Sequence, residues 1–406
     1  MQAATLSRHP VLIVGAGPIG LAAAAKCARR GIEFLVLEAG SEPAWAVRQW
    51  QHVRLFSPWE DCFDADAAAL LQELNWPIPD RKSYPTGAEL IERYLAPLAG
   101  HPAIRARLRL NMDVVRYGRC GLDKYSARMR FEMPFIASTA QGEAVPGRAL
   151  IDASGNWRTP LRLMQAECTS ADRIRYGIPD LGSAADHGLV QGKRVLVIGA
   201  GHSGMTTILD LAAHNGPERI IWVRRSVSVP GAKVYPEGSG RAALEARAEA
   251  AAASGRIETI AGASVSSLRE TGFCVTAAGT GPDGRPWAIE ADVAFVATGF
   301  RPDHSLSDDL WTATDHRWEA PAGLAPLIDP EKHSCNTVPA HGVAELSHPE
   351  RDFFIVGAKS YGRAPNFALT AGYAQLDSVT EWLQPDRGRR TIAAPAVPAP
   401  ACRPCP

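Results

Sequence analysis

Val11-Leu12-Ile13-Val14-Gly15-Ala16-Gly17-Pro18-Ile19-Gly20 is the stretch on which the fold turns. An unbroken apolar run of this length reads as a strand buried on both faces of a parallel sheet. Gly15, Gly17 and Gly20 then follow with the spacing G-x-G-x-x-G. The first permits a tight turn, the second lets a pyrophosphate approach the backbone, and the third lets the next helix pack against the strand. The spacing predicts a helix from Pro18 to about Arg30, whose free N–H groups and partial positive charge face that pyrophosphate. Phe34 to Leu37 reads as the next strand, and Glu38 closes it 18 positions after Gly20. A carboxylate there accepts hydrogen bonds from a ribose diol. A plain glycine turn in an ordinary βαβ unit shares the spacing, and the acid at the strand end favours a dinucleotide site over it.

The same pattern recurs downstream. Arg194 to Ile198 reads as a strand, Gly199-Ala200-Gly201-His202-Ser203-Gly204 repeats the glycine spacing, and Met205 to His214 reads as the helix. Ile220 to Val223 is the following strand, and it ends in Arg224-Arg225, with Arg224 20 positions after Gly204. One βαβ unit is therefore duplicated within the chain. The copies differ in chemistry. An acid at the strand end accepts from a 2′-hydroxyl and repels a 2′-phosphate, whereas two guanidinium groups do the reverse. The first unit is thus expected to hold an unphosphorylated adenosine ribose, as in FAD or NAD, and the second NADP(H). A solvated basic pair is the alternative reading of Arg224 and Arg225.

The chain has 406 residues, room for two or three domains with full cores. Lys+Arg and Asp+Glu balance at 43 each, so net charge points to neither nucleic acid nor an anionic membrane. No apolar run approaches the roughly 18–20 residues of a spanning helix. The start, Met1 to Pro10, has no basic-then-apolar leader, and a cytoplasmic location is expected. Cysteines stand at 27, 62, 120, 168, 274, 335, 402 and 405. In a reducing compartment these default to free thiols. No two histidines sit at helical ligand spacing with a third nearby, so no metal site is expected.

Between Gly40 and Asp61, Trp45, Trp50, Phe56 and Trp59 cluster among polar residues; they either wall a flat ligand or fill a satellite core. Ala65 to Leu74 reads as a short helix, and Thr86 caps another. Residues 104–150 alternate like an antiparallel meander and end in Ala153-Ser154-Gly155. A connector from about Arg158 to Gly192 leads into the second unit. Arg241 to Ala253 reads as a helix, and residues 256–296 as strands with a turn at 281–284. They run into Ala297-Thr298-Gly299-Phe300-Arg301-Pro302. Phe353 to Gly357 is a last apolar strand, and a helix is expected from Asn366 to about Leu383. Beyond Pro385 the chain turns to Pro, Ala and Arg.

Two glycine units, one inserted in the other, with strand ends reading Ala-Ser-Gly and Ala-Thr-Gly, resemble the two-dinucleotide-binding-domain flavoproteins. The resemblance runs to about residue 384. It is nearest the flavin-containing, class B-type monooxygenases, with the thioredoxin-reductase group as the neighbouring branch. It implies an α/β fold of two Rossmann-like, three-layer ββα domains, the second inserted in the first. The FAD domain would comprise residues 1–160 plus 300–385, the NADPH domain with its connector 161–299, and a Pro/Ala-rich tail 386–406. FAD contacts would come from Gly15, Gly17, Pro18, Ile19, Gly20, Glu38, Ala39, Trp45, Ser57, Gly155, Gly357 and Asn366. NADPH contacts would come from Gly199, Gly201, His202, Ser203, Gly204, Arg224, Arg225, Thr298 and Gly299. Two departures stand out. The class B fingerprint F-x-G-x-x-x-H-x-x-x-(F/Y/W) is absent before the second glycine motif. The last strand also ends in Gly357-Ala358-Lys359 where the superfamily has Gly-Asp.

The chemistry implied is hydride transfer from NADPH to FAD. Reaction with O2 would then give a C4a-(hydro)peroxyflavin that oxygenates a small organic compound at N, S or a carbonyl. Arg54, Lys359, Arg363 and Asn366 are the expected catalytic residues, with Ser57 and Tyr361 beside them in the cavity. The helix opening at Asn366 would offer its N-terminus to a reduced flavin. A rival reading is flavin-dependent thiol or soft-metal(loid) redox through Cys402-Arg403-Pro404-Cys405. A third is a flavin-binding sensor without turnover. A homodimer is compatible with all three.

Overall fold

A computed structural model of the protein describes residues 6, 8–163, 173–225, 239–333 and 337–384, and the backbone of 166–167. The tail with Cys402 and Cys405, together with Cys168 and Cys335, lies outside the described residues. The elements that place the site are β1 (Val11–Val14), α1 (Pro18–Arg29), β2 (Phe34–Leu37), β3 (Ala149–Asp152), β4 (Arg194–Ile198), α2 (His202–His214), β5 (Arg219–Arg224), α3 (Gly240–Ala253), β6 (Val293–Val296), β7 (Phe353–Ile355) and α4 (Leu369–Trp382).

The first sheet is five-stranded and parallel, in the order β7-β3-β1-β2 followed by Leu108–Arg109. The second is also five-stranded and parallel: Ile257–Ala261, then β5-β4-β6, then Ile174–Tyr176. The two share one plan, the glycine-bearing strand at the centre flanked by the strand that follows it and the one that closes the unit. Strand β7, the last described, returns to the first sheet after the second is complete.

Each sheet is covered on both faces, which accounts for the apolar runs. Along β1, Val11 and Ile13 point into a core shared with α1 and α4. Leu12 and Val14 point oppositely, against the three-stranded antiparallel meander of Val114–Arg119, Phe135–Thr139 and Ala144–Gly147. The side-chain period of two thus turns one uninterrupted run into two buried faces. The second sheet repeats this: Val195 and Val197 face α2 and α3, while Leu196 and Ile198 face an antiparallel layer containing Ser264–Thr271, Cys274–Thr280 and Pro286–Ala291. Both units are therefore three layers, helix on parallel sheet on antiparallel sheet.

The structure corrects or refines three expectations. Helix α4 begins at Leu369, not Asn366, because Ala368 is extended and the Asn366 side chain is tied to the carbonyls of Ile328 and His333. The helix capped by Thr86 keeps its capping box with Glu89 but widens at Ile91–Leu95. The aromatic cluster divides: Trp59 is buried in the first core with Trp50 packed against it, and only Trp45 faces a cleft.

Candidate functional site

The two glycine turns superpose in their conformational logic. Gly15 has φ +100, and a Cβ there would stand 2.6 Å from the Ala153 carbonyl oxygen. Gly199 has φ +122, with the Ala297 oxygen at 2.3 Å. A Cβ on Gly20 would meet the Gly15 oxygen at 1.9 Å, and one on Gly204 the Gly199 oxygen at 2.3 Å. By contrast, a Cβ on Gly17 or Gly201 would meet nothing within 4 Å. The outer glycines are demanded by close packing and φ, and the middle one opens onto free space where a ligand approaches. Helices α1 and α2 begin directly after Gly17 and Gly201, and neither has a side-chain cap. Their first N–H groups are left for an anion.

In the first unit this turn opens into a cleft along the C-terminal strand ends. Gly15, Gly17, Pro18, Ile19, Glu38, Ala39, Trp45, Gly155 and Gly357 all line it, while Gly20 is packed beneath. Glu38 is nearly buried: its Oε2 accepts from the Ala16 N–H at 2.6 Å and its Oε1 from the Gly40 N–H at 2.8 Å. Those two bonds aim the carboxylate and leave lone pairs for a diol. Gly357 donates its N–H to Gln375 Oε1 at 2.8 Å. Residues that the sequence reading passed over also line the cleft: Asp113 paired with Arg158 at 2.8 Å, Asn156, Asp303 and Phe367. Asn156 directly follows the Ala-Ser-Gly strand end, and that adjacency was the available signal.

The expected catalytic set does not converge there. Arg54 is exposed and turned to the Tyr84 carbonyl and Glu89. Arg363 is exposed, and its backbone N–H is anchored on the Trp318 carbonyl. Lys359 is fully buried behind the cleft, its Nζ 2.7 Å from Asp152 and 3.1 Å from Ser154 Oγ. An unpaired ammonium could not be held there, so the lysine is committed to a buried ion pair. Asn366 donates to two loop carbonyls and is absent from the cleft lining. Ser57 does not line it either, and Tyr361 is buried beside His341 and Phe367.

In the second unit, register places Arg224 where Glu38 stands in the first: Gly15 N–H donates to the Leu37 carbonyl, and Gly199 N–H to the Val223 carbonyl. The two arginines diverge. Arg224 is buried, its guanidinium 4.8 Å from the Trp222 ring and 3.5 Å from Glu249, with Nε unpartnered. Arg225 is exposed at the strand end. Trp222 in turn donates Nε1–H to the Gly199 carbonyl at 2.8 Å, pinning the turn. His202 occupies the place of Pro18, and the ring of Phe56, from the first unit, lies 4.5 Å from its ring. Ser203 gives its carbonyl to Thr207 Oγ1.

Thr298 and Gly299 are tied to the chain passage at Leu161. Thr298 Oγ1 donates to the Leu161 carbonyl at 2.6 Å, and Gly299 accepts from the Leu161 N–H at 2.9 Å. With the Pro160–Phe300 bridge and Trp157 packed 5.2 Å from Phe300, they cross-tie the two chain passages between the units. Cys27 and Cys62 are buried within the first core, and burial pushes both thiols up to about 12, which disfavours the reactive thiolate. Among the described residues no group of three or more His, Cys, Asp or Glu could hold a metal ion. None of the described helices is long and apolar enough to cross a membrane.

Residues 12–119 match the pyridine nucleotide-disulphide oxidoreductase family. The probable indole-3-pyruvate monooxygenase YUCCA7 of Arabidopsis thaliana is 30% identical over 231 residues, 54% of this chain and 47% of its own length. The indole-3-pyruvate monooxygenase YUCCA8 of Oryza sativa subsp. japonica is 30% identical over 225 residues, 54% of this chain and 48% of its own length. The chain spans about half the length of these curated relatives. Among solved structures, the bacillithiol disulfide reductase Bdr from Bacillus cereus aligns with a TM-score of 0.69 at 20% identity, covering 93% of this chain and 98% of its own. A flavin-containing monooxygenase from Stenotrophomonas maltophilia aligns at 0.57 and 21% identity, covering 92% and 98%. The fold is that of the two-domain FAD- and NAD(P)-binding flavoprotein oxidoreductases, monooxygenases among them.

Proposed function

We propose, from this flavoprotein fold, that the chain is an FAD-dependent, NADPH-consuming monooxygenase that uses O2 on a small organic compound at N, S or a carbonyl. The observation that carries the reading is the pair of equivalent glycine turns with opposite charge at equivalent strand ends, Glu38 in one and Arg224-Arg225 in the other. Glu38 receives the adenosine ribose of FAD, and the N-terminus of α1 its pyrophosphate. The exposed Arg225 reaches the 2′-phosphate of NADPH, while Arg224, stacked on Trp222, adds charge behind it. A flavin held in this cleft would supply the chemistry of taking hydride from the nicotinamide and delivering electrons to oxygen. The likeness to monooxygenases and the buried thiols at Cys27 and Cys62 favour oxygen over a disulfide as the electron acceptor. A cytoplasmic location is part of the same proposal.

The test is direct. Purified protein reconstituted with FAD should be yellow, bleach anaerobically under NADPH faster than under NADH, and recolour when oxygen is admitted. Electrons that reach an acceptor only when Cys402 and Cys405 are intact would move the reading to thiol chemistry. Protein that stays colourless when offered FAD would overturn it.

A further inference from the structure

Two acceptors in the first cleft have bonding capacity that the described residues do not use. Asn156 lines the cleft, and its Nδ2 donates to the Ala358 carbonyl at 3.2 Å. That bond fixes the amide, since the flipped orientation would set oxygen against oxygen. Its Oδ1 is then shut off from water and accepts from none of the described residues. A buried acceptor in that state is unfavourable unless a ligand brings a donor. Asp303 lines the same cleft. Its Oδ1 takes both the N–H of Ser305 at 3.0 Å and the Ser305 hydroxyl at 2.6 Å, and none of the described residues donates to Oδ2. Partial burial opposes its charge, but the Ser305 bonds and the nearby Lys359 ammonium hold it below the usual carboxylate range.

The sheet order says which part of a ligand Asn156 meets, and Asp303 lies near Lys359, beyond the end of β7. The strands run β7-β3-β1-β2. Glu38 stands at the end of β2 and the glycine turn at the end of β1, whereas Asn156 follows β3 and its partner Ala358 follows β7. A dinucleotide with its adenosine ribose on Glu38 and its pyrophosphate on α1 carries its second half across β3 and β7. We propose that Asn156 and Asp303 form an acceptor pair that receives the hydroxyl or ring N–H donors of that second half and so orients the flavin end of the cofactor. This rests on the FAD reading above.

The test compares FAD with ADP, which carries the adenosine and pyrophosphate but no riboflavin, by equilibrium binding to the full chain. Asn156→Ala and the isosteric Asp303→Asn should each weaken FAD about 10-fold, the scale of one lost hydrogen bond to a buried or charged group. ADP affinity should stay unchanged, and the absorption envelope of the residual bound flavin should shift. FAD binding unchanged in both variants, or FAD and ADP falling together, would overturn the acceptor pair. Should Asn156→Ala fail to fold, Asp303→Asn decides alone, because it keeps the side chain's size and its Oδ1 contacts. Unaltered protein that binds ADP and refuses FAD would instead sink the FAD reading, and the pair with it.

Discussion

The two glycine units are one backbone device carrying two chemistries. Both turns leave their middle glycine open, both begin an uncapped helix there, and both pack the third glycine on the first. The units part in charge at the position that follows each second strand. Glu38 folds back onto the Ala16 and Gly40 N–H groups at its own turn, while Arg224 folds away onto Trp222 and Glu249. On the proposed function, pyrophosphate binding by helix N–H groups is generic to both units, and selection between coenzymes is assigned to the side chain beyond the second strand. The units also differ in access, since Phe56 of the first unit lies against His202 of the second.

The largest expected effect comes from the packed glycines. Gly20→Ala places a Cβ 1.9 Å from a backbone oxygen that cannot retreat, so the purified variant should lose its flavin altogether. Gly204→Ala meets a similar clash at 2.3 Å in the second turn. It should keep its flavin and lose reduction by NADPH, read from flavin absorbance before and after the coenzyme is added. Flavin retained by Gly20→Ala would break the equivalence of the turns. The charge difference is tested next. Arg224→Glu with Arg225→Glu should weaken NADPH about 100-fold and NADH only slightly, in line with losing charge-assisted phosphate bonds. Arg225→Ala alone should give most of that effect, because Arg224 is already engaged on Trp222. Equal losses for both coenzymes would remove the 2′-phosphate argument.

The smallest effect separates the units by stability. Burial pulls His348, stacked on Phe353 of β7, down from 6.5 to about 4, with the charge of His304 adding to it. The folded state then binds fewer protons than the unfolded one, so this contribution is complete above the unfolded value and is lost as pH falls towards the folded one. The loss is roughly 2 kcal/mol by about pH 5. Denaturant melts followed at both units should show the first weakening between these values, and His348→Gln should flatten that slope. An unaltered slope in the variant would place the acid sensitivity elsewhere.

The expected catalytic residues teach where local reading stops. Lys359 was expected in the cavity, yet its ammonium sits behind it on Asp152, a residue 207 positions away. Asn366 was expected at a helix start and instead ties down the carbonyls of Ile328 and His333. Arg54 and Arg363 turn to the surface. A loop side chain's direction follows from which distant partner satisfies its charge or amide, and spacing along the chain carries no record of that partner. The same holds for Thr298, whose hydroxyl serves the crossing at Leu161.

What the amino-acid order settled alone was the local repeat. Apolar runs of strand length, glycines spaced for turn, approach and packing, and the sign of charge after each second strand are short-range properties. Their physics acts within about one βαβ unit and needs no knowledge of the rest. Tertiary structure alone decided how the cleft is completed. It brings the end of β7 beside β3, aims Asn156 and Asp303 inward, withdraws Lys359, and sets Phe56 against the second turn. Those outcomes depend on burial and on pairing between segments hundreds of residues apart, where the cost of an unsatisfied polar group outweighs any local preference.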